Sequence, residues 1–475
     1  MRVTRVQTGQ PVVGHPDVIV VGSGIIGAAC AESLTRRGIR VTVLDRGPLA
    51  SGTTASGEGN LLVSDKPPGP ELALTQASLE RWPRLLAELG GGGAYGDARD
   101  GAYGAAFDGA HGGAYGGARG GAYGCEYEAK GGLVVALEDA GAQRLRAFAA
   151  AQRGAGVQVH DISPDEVSTY EPHLTPGVRA AAYYPQDAQL QPVLAATTLL
   201  AAVRARGAEV RTGVTALGVE QAADGRVTAV RTCAGPLPCG AVVNACGPWA
   251  GRFAEAAGAP LPVLPRRGMV LVTTALPPGT VRHKVYDAGY VGAVGSGEAD
   301  LRTSAVVEST HGGTVLIGSS RQRVGFDATV RVAVLRELAR NAMALFPALG
   351  RVPVIRAYGG FRPYTPDHLP VIGEDPRRPG LWHATGHEGA GIGLAAATGE
   401  LLAGLYAGEP PLVDPAPFRV DRPGLGLGAD PERIRTSGSG SGPGSDSGSG
   451  PGSGAGPGPG SGSGAEGSEG LSCSV

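Results

Sequence analysis

The segment Val18 to Gly27 (VIVVGSGIIG) constrains this chain more than any other feature. It puts four apolar residues ahead of three glycines spaced G-x-G-x-x-G. That is the strand-turn-helix form of a dinucleotide fingerprint. Gly22 permits the tight turn, Gly24 lets the backbone approach a pyrophosphate, and Gly27 allows close helix–strand packing. A helix starting here aims its free N–H groups and positive dipole end at the phosphates, with Ser23, Ile25 and Ile26 in the same turn. Ala28, Ala31 and Leu34 form its apolar stripe, and Gly38 ends it. Val41 to Leu44 is the returning strand, closed by Asp45 and Arg46. A carboxylate at that place accepts hydrogen bonds from ribose hydroxyls. It also disfavours NADP, whose 2′-phosphate it would repel, and Arg46 alone does not reverse that.

The fingerprint alone serves NAD as well as FAD. The residues that follow favour FAD. Ser51 to Asn60 (SGTTASGEGN) is a run of hydroxyls and glycines. Thr53, Thr54, Ser56, Gly57, Gly59 and Asn60 offer donors to a phosphate and a ribityl chain without bulk, which an NAD unit does not need.

Composition separates core from filler. Of 475 residues, 81 are Gly and 37 Pro, and much of the glycine lies in two stretches. Residues 90–124 repeat Gly-Ala-Tyr-Gly and Gly-Ala-Arg-Gly with no helical or strand period, and read as a flexible surface insertion. The Ser/Gly/Pro-rich residues 426–475 read as a disordered tail. The net charge of -2 makes no field to attract nucleic acid or an anionic membrane. None of the six cysteines forms a C-x-x-C pair, so no zinc site is expected. No run reaches the roughly 18–20 apolar residues of a membrane span. Residues 1–15 lack the apolar core of a secretory signal. The expected location is the cytoplasm, with free thiols.

Elsewhere the pattern alternates. Helices are expected at 70–89, 140–154, 192–207, 332–345 and 394–405. Strands are expected at 130–137, 209–214, 226–231 and 240–244, and near residues 270, 285, 305 and 314–317. This mixture predicts an α/β fold. A Rossmann-like nucleotide-binding domain is interleaved with an α+β domain built on a mainly antiparallel sheet. The first unit comprises 12–76, 186–256 and 350–420, the second 77–185 and 257–349.

Three further motifs complete a pattern: Ala241 to Trp249 (AVVNACGPW), Gly359 to Asp367 (GGFRPYTPD) and Gly386 to Gly393 (GHEGAGIG). With the fingerprint and the Ser51–Asn60 loop, they resemble the D-amino-acid-oxidase-like family of FAD oxidoreductases. Its members include glycine and sarcosine oxidases, D-amino acid dehydrogenase, hydroxyproline dehydrogenase and the FAD subunit of hydrogen cyanide synthase. The motifs spread over roughly residues 15–420, the Gly-rich insertion excepted. The resemblance implies FAD contacts from Val214, Cys246, Gly247 and Trp249. It implies more from His387, Glu388, Gly389, Ala390, Gly391 and Ile392, where a helix start faces the flavin's pyrimidine edge and its dipole stabilises negative charge on the reduced ring.

The implied reaction oxidises an amino acid or secondary amine to its imine by hydride transfer to flavin N5. Such a site needs a cation for the substrate carboxylate. Arg362 stands where the family places one, its planar fork suited to a bidentate pair. Tyr290 lies in the segment that covers the pocket. No acid–base dyad is evident. The second arginine that glycine oxidases carry after the histidine is missing here, where Glu388, Gly389 and Ala390 stand. No cysteine precedes Thr365-Pro366-Asp367, so FAD is expected to be non-covalent. Two alternatives remain. One is the catalytic subunit of a hetero-oligomeric amine dehydrogenase with electron-accepting partner subunits. The other is a flavin-binding protein without amine chemistry.

Overall fold

The computed structural model describes residues 14–90, 125–289 and 301–427. The expected insertion, beyond Gly90 itself, and the expected tail, beyond residue 427, lie outside the described residues.

The fingerprint strand lies inside a six-stranded sheet. Val18–Val21 pairs in parallel with Val41–Leu44 on one side and Ala241–Asn244 on the other. The sheet has six strands in the order Val371–Glu374, Leu381–Thr385, Ala241–Asn244, Val18–Val21, Val41–Leu44, Glu209–Arg211. Only the edge strand Val371–Glu374 runs antiparallel. Its central strands are continuous apolar runs because both faces are covered. Val18, Val20, Val41 and Val43 pack on the side of helices Ile25–Arg36, Pro192–Ala205 and Gly391–Ala407. Ile19, Val21, Leu44 and Val242 pack on the other side, against Phe253 and the three-stranded sheet that holds Val219 and Val230.

Helices Ile25–Arg36 and Gly391–Ala407 touch backbone to backbone. A Cβ on Gly399 would overlap the Ala29 carbonyl. The long helix Pro70–Gly90 joins this core through Leu74, Trp82, Leu85 and Leu86, and the Trp82 indole N–H donates to the Ile392 carbonyl at 3.1 Å.

The second unit is an eight-stranded sheet in the order Val354–Tyr364, Leu264–Ala275, Thr314–Arg321, Arg302–Ser309, Lys284–Asp287, Gly132–Ala136, Ala180–Tyr184, His160–Ile162. All its pairings are antiparallel except Lys284–Asp287 with Gly132–Ala136. Strand alternation splits its side chains. Leu133, Val285, Val307 and Ile317 point towards helix Val332–Leu345, which buries Val334, Leu338, Ala342 and Leu345 against them. Val134, Tyr286 and Val306 point the other way, with Val63 and Leu72 of the nucleotide-binding half.

This is the expected fold class, a Rossmann-like domain interleaved with an antiparallel α+β domain. One segment changes sides relative to expectation. Val354–Tyr364, inside the 350–420 stretch assigned to the nucleotide unit, pairs with Leu264–Ala275 from Leu264↔Tyr364 to Thr273↔Val354. Arg356, Gly359, Gly360 and Arg362 leave that strand with little apolar signature of its own. The last helix also begins at Gly391 rather than Leu394. No described helix is long and apolar enough to cross a membrane.

Candidate active site

A cavity of about 670 Å³ runs between the two sheets, from Val214 to Leu217 at one end to Phe361 and Arg362 at the other. Its size is that of a large small-molecule site.

At the nucleotide end the glycine turn has no room for side chains. A Cβ on Gly22 would overlap the Ala245 carbonyl, and one on Gly27 the Gly22 carbonyl. Asp45 Oδ2 accepts from both the backbone N–H (2.7 Å) and the hydroxyl (2.6 Å) of Ser23, and Oδ1 accepts from Gly47 N–H at 2.9 Å. A carboxylate has about four lone-pair sites, so these three bonds leave one acceptor position on Asp45, which borders the cavity. Gly24 and Ala390, the N-cap residues of helices Ile25–Arg36 and Gly391–Ala407, make no side-chain capping bond. Both helix starts border the cavity and present first-turn N–H groups and positive dipole ends to it. Thr54 Oγ1 takes the Ile25 N–H at 3.0 Å.

An aromatic column ties this wall to the second sheet. The Arg46 guanidinium lies 4.3 Å from the Trp249 ring centroid. Trp249 stacks on Phe326 at 5.4 Å, and Phe326 meets Phe361 edge-on at 5.4 Å. Thr53 Oγ1 donates to the Phe361 carbonyl at 2.6 Å.

At the inner end Arg362 Nη1 donates to the Ser320 carbonyl at 2.8 Å. Glu388 is buried between Arg266 and His368, its Oε2 2.9 Å from His368 Nδ1. Burial works to raise the Glu388 carboxyl, but the His368 hydrogen bond and the Arg266 charge outweigh it and hold it at about 2. Glu388 is therefore an anion at neutral pH, with φ 47° placing it in the left-handed region where the chain turns into the helix. Burial pushes the His387 imidazole down to about 3, so this ring is neutral. Its Nε2 lies 3.0 Å from Thr398 Oγ1. Burial pushes the Cys246 thiol up to about 12, so it is protonated and a poor nucleophile.

The residues present fit a flavin dinucleotide. His387 Nδ1, Asn60 Oδ1 and Glu58 Oε1 are buried, have no hydrogen-bond partner, and belong to residues of the cavity wall. Buried polar atoms are ordinarily satisfied, so three such atoms in one cavity point to a ligand with several polar edges. The clear glycine turn and the two helix starts suit its phosphates and ring edge.

Most of the residues singled out in the sequence border this cavity, including Gly22, Asp45, Asn60, Val214, Trp249, His387 and Arg362. Ser23, Gly27 and Ala390 stand behind the wall instead. The Ser23 hydroxyl is committed to Asp45, Gly27 packs against Gly22, and Ala390 starts the last helix. Tyr290 lies outside the described residues. Sequence reading missed Glu58, Phe326 and Arg252, all of which the structure brings to the cavity wall or the aromatic column. Glu58 could have been noticed as the one ionisable residue in a loop otherwise made of small and neutral groups.

Comparison with known proteins gives a consistent picture. The model of the family described as FAD dependent oxidoreductase matches residues 17–405. The chain is 28% identical over 410 residues to glycine oxidase of Geobacillus kaustophilus, covering 86% of this chain and 97% of that protein. It is 27% identical over 430 residues to hydrogen cyanide synthase subunit HcnC of Pseudomonas aeruginosa, covering 86% and 96%. The crystal structure of the Geobacillus glycine oxidase superposes with a TM-score of 0.72 at 26% identity, over 86% of this chain and 99% of that one.

Proposed function

The chain belongs to the FAD dependent oxidoreductase family, and from that premise we propose that it oxidises an amino acid or secondary amine bearing a carboxylate to the corresponding imine. The observation that carries this reading is Arg362, a guanidinium at the inner end of the cavity, beyond the part suited to the dinucleotide. A planar cation there serves a carboxylate through paired hydrogen bonds. The likeness to a glycine oxidase supports the same substrate class. Bound FAD supplies a two-electron acceptor for the substrate's Cα–H hydride.

The chain's own residues divide the remaining work. Asp45 keeps an acceptor position for the ribose. The glycine turn and the start of helix Ile25–Arg36 hold the pyrophosphate. The start of helix Gly391–Ala407, with neutral His387 beside it, stabilises negative charge on the ring edge. Trp249 and Arg46 wall the adenosine half. Cys246 is protonated at neutral pH, which supports FAD held without a covalent bond.

The test is anaerobic mixing of the purified yellow protein with D-amino acids, glycine, sarcosine, proline and hydroxyproline. Loss of the visible flavin band with at least one of them is the expected result; no bleaching by any carboxylate-bearing amine defeats the reading. The likeness to a hydrogen cyanide synthase subunit favours a second reading, in which partner subunits accept the electrons. Slow recovery of the flavin band when air is admitted supports that version, and rapid recovery supports an oxidase.

A further inference from the structure

We propose that Glu58 receives the substrate's amino group, opposite Arg362, so that the inner end of the cavity takes an α-amino or α-(alkylamino) carboxylate as its zwitterion. This rests on the reading that the substrate is a carboxylate-bearing amine, and it assigns the other half of that substrate's charge.

Glu58 leaves the loop just before the short strand Asn60–Leu61 and borders the same cavity as Arg362. Its Oε1 is buried without a hydrogen-bond partner. Its Oε2 has only a long contact, 3.4 Å from Asn60 Nδ2. Among the described residues no cation forms an ion pair with it. A buried carboxylate oxygen left in this state is costly, and a cationic ligand relieves the cost.

The second sheet is cut away to seat both charged groups. A Cβ on Gly318 would overlap Glu58 Oε1, and a Cβ on Gly268, in the neighbouring strand, would overlap the Arg362 guanidinium. Gly360, across from Gly268, is bare where Ser56 of the same loop approaches. Glu58 therefore sits over Gly318, while Arg362 bonds the Ser320 carbonyl two residues further along the same strand. Two residues of chain span at most about 7 Å. An α-amino acid carries nitrogen and carboxyl on one carbon, so a carboxylate and a guanidinium seated at neighbouring places on one strand suit its two ends.

Behind Glu58 lies a second carboxyl. Glu308 is fully buried, with Oε2 3.1 Å from Lys284 Nζ and Oε1 unpartnered. Burial, and the nearby negative charge of Glu58, raise the Glu308 carboxyl well above the usual carboxylate range in spite of Lys284. Glu308 is already paired with the Lys284 ammonium, and of the two carboxyls Glu58 is the one that borders the cavity.

In the reaction the Glu58 carboxylate accepts one N–H proton from the substrate ammonium, which frees the nitrogen lone pair. Bound FAD would take the Cα hydrogen with both electrons of its bond, and that lone pair would become the C=N bond. The product is an iminium, and water hydrolyses it to the carbonyl compound and ammonium or amine.

The test uses the FAD-loaded protein and two ligands that cannot be oxidised. 2-Aminoisobutyrate has no Cα–H, and isobutyrate has no amine; each is titrated anaerobically while the visible flavin band is followed. Wild type should bind 2-aminoisobutyrate the more tightly. Glu58→Gln should weaken that ligand about tenfold to hundredfold, the range of a lost charged hydrogen bond. It should leave isobutyrate unchanged or tighter, and Glu58→Asp should recover part of the preference. Isobutyrate binding reports that the variant site is intact. The proposal is overturned if wild type shows no preference, if Glu58→Gln binds both ligands as wild type does, or if it loses both equally. Those results leave the amine-oxidation reading standing as long as an amino acid still bleaches the wild-type flavin.

Discussion

The Arg362 guanidinium fills the space that a Cβ on Gly268 would need, across the antiparallel pair of strands that places Arg266 opposite Arg362. The position of this proposed anchor thus depends on an absent side chain in the next strand. Gly268→Ala should fold, because the atom that must move is the end of a flexible side chain, but it should push the guanidinium away from Ser320. A displacement of about 1 Å costs roughly 10²-fold in kcat/KM. Steady-state kinetics with the best substrate, alongside a flavin-content measurement, check this. Full FAD content with much reduced kcat/KM is expected.

Arg362→Lys tests the anchor itself. An ammonium keeps the charge but not the fork, so the loss should approach one charged hydrogen bond, roughly 1.5–3 kcal/mol. It should appear as a weaker apparent affinity in the anaerobic flavin-reduction titration. An unchanged affinity would remove Arg362 from the role of carboxylate anchor.

The nucleotide turn should be far less forgiving. On Gly27 a Cβ would meet a backbone carbonyl, that of Gly22, which cannot rotate away. Gly27→Ala should therefore purify colourless or fail to accumulate folded protein. The ratio of visible to ultraviolet absorbance of the purified chain measures this directly. A normal flavin content would show that the turn is looser than its geometry implies.

Asp187 links pH to stability. It is buried, its Oδ1 accepts from Val63 N–H at 2.8 Å and Ser64 N–H at 3.3 Å, and its Oδ2 meets the Ser64 hydroxyl. Burial raises its carboxyl from 3.8 to about 7 despite those hydrogen bonds. The folded state thus holds the proton more tightly than the unfolded chain. This group's contribution is largest below pH 3.8, falls as pH rises towards 7, and then levels. Asp187→Asn removes the titration. Its Tm relative to wild type should therefore be more favourable at pH 8 than at pH 5, by differential scanning calorimetry. Parallel curves would contradict the shift.

Local pattern disclosed much of this structure. The fingerprint, Asp45, the helix Val332–Leu345 and the Gly386–Gly393 turn follow from glycine spacing and apolar period, properties of neighbouring residues. Arg362 was legible only through the surrounding motif. What stayed hidden depends on contacts between distant segments. Glu58 looks like one more polar loop residue until Gly318 is seen beneath it. Phe326 is an isolated aromatic until it stacks on Trp249. The strand Val354–Tyr364 reads as an accessory of the nucleotide unit because its glycines and arginines, which make room for and form the site, erase the apolar alternation of a sheet strand.

If a carboxylate-bearing amine is the substrate and Arg362 holds its carboxylate, removing that carboxylate should slow flavin reduction. The most direct measurement is the anaerobic rate of flavin reduction by an amino acid set against its decarboxylated amine: glycine against methylamine, sarcosine against dimethylamine, proline against pyrrolidine. For at least one pair the amino acid should bleach the flavin about 10²-fold faster or more, the scale of lost substrate positioning, and Arg362→Lys should shrink that ratio. Equal rates for every pair that reacts would remove the carboxylate from the substrate's required features, and a ratio indifferent to Arg362→Lys would remove Arg362 as the group that holds it.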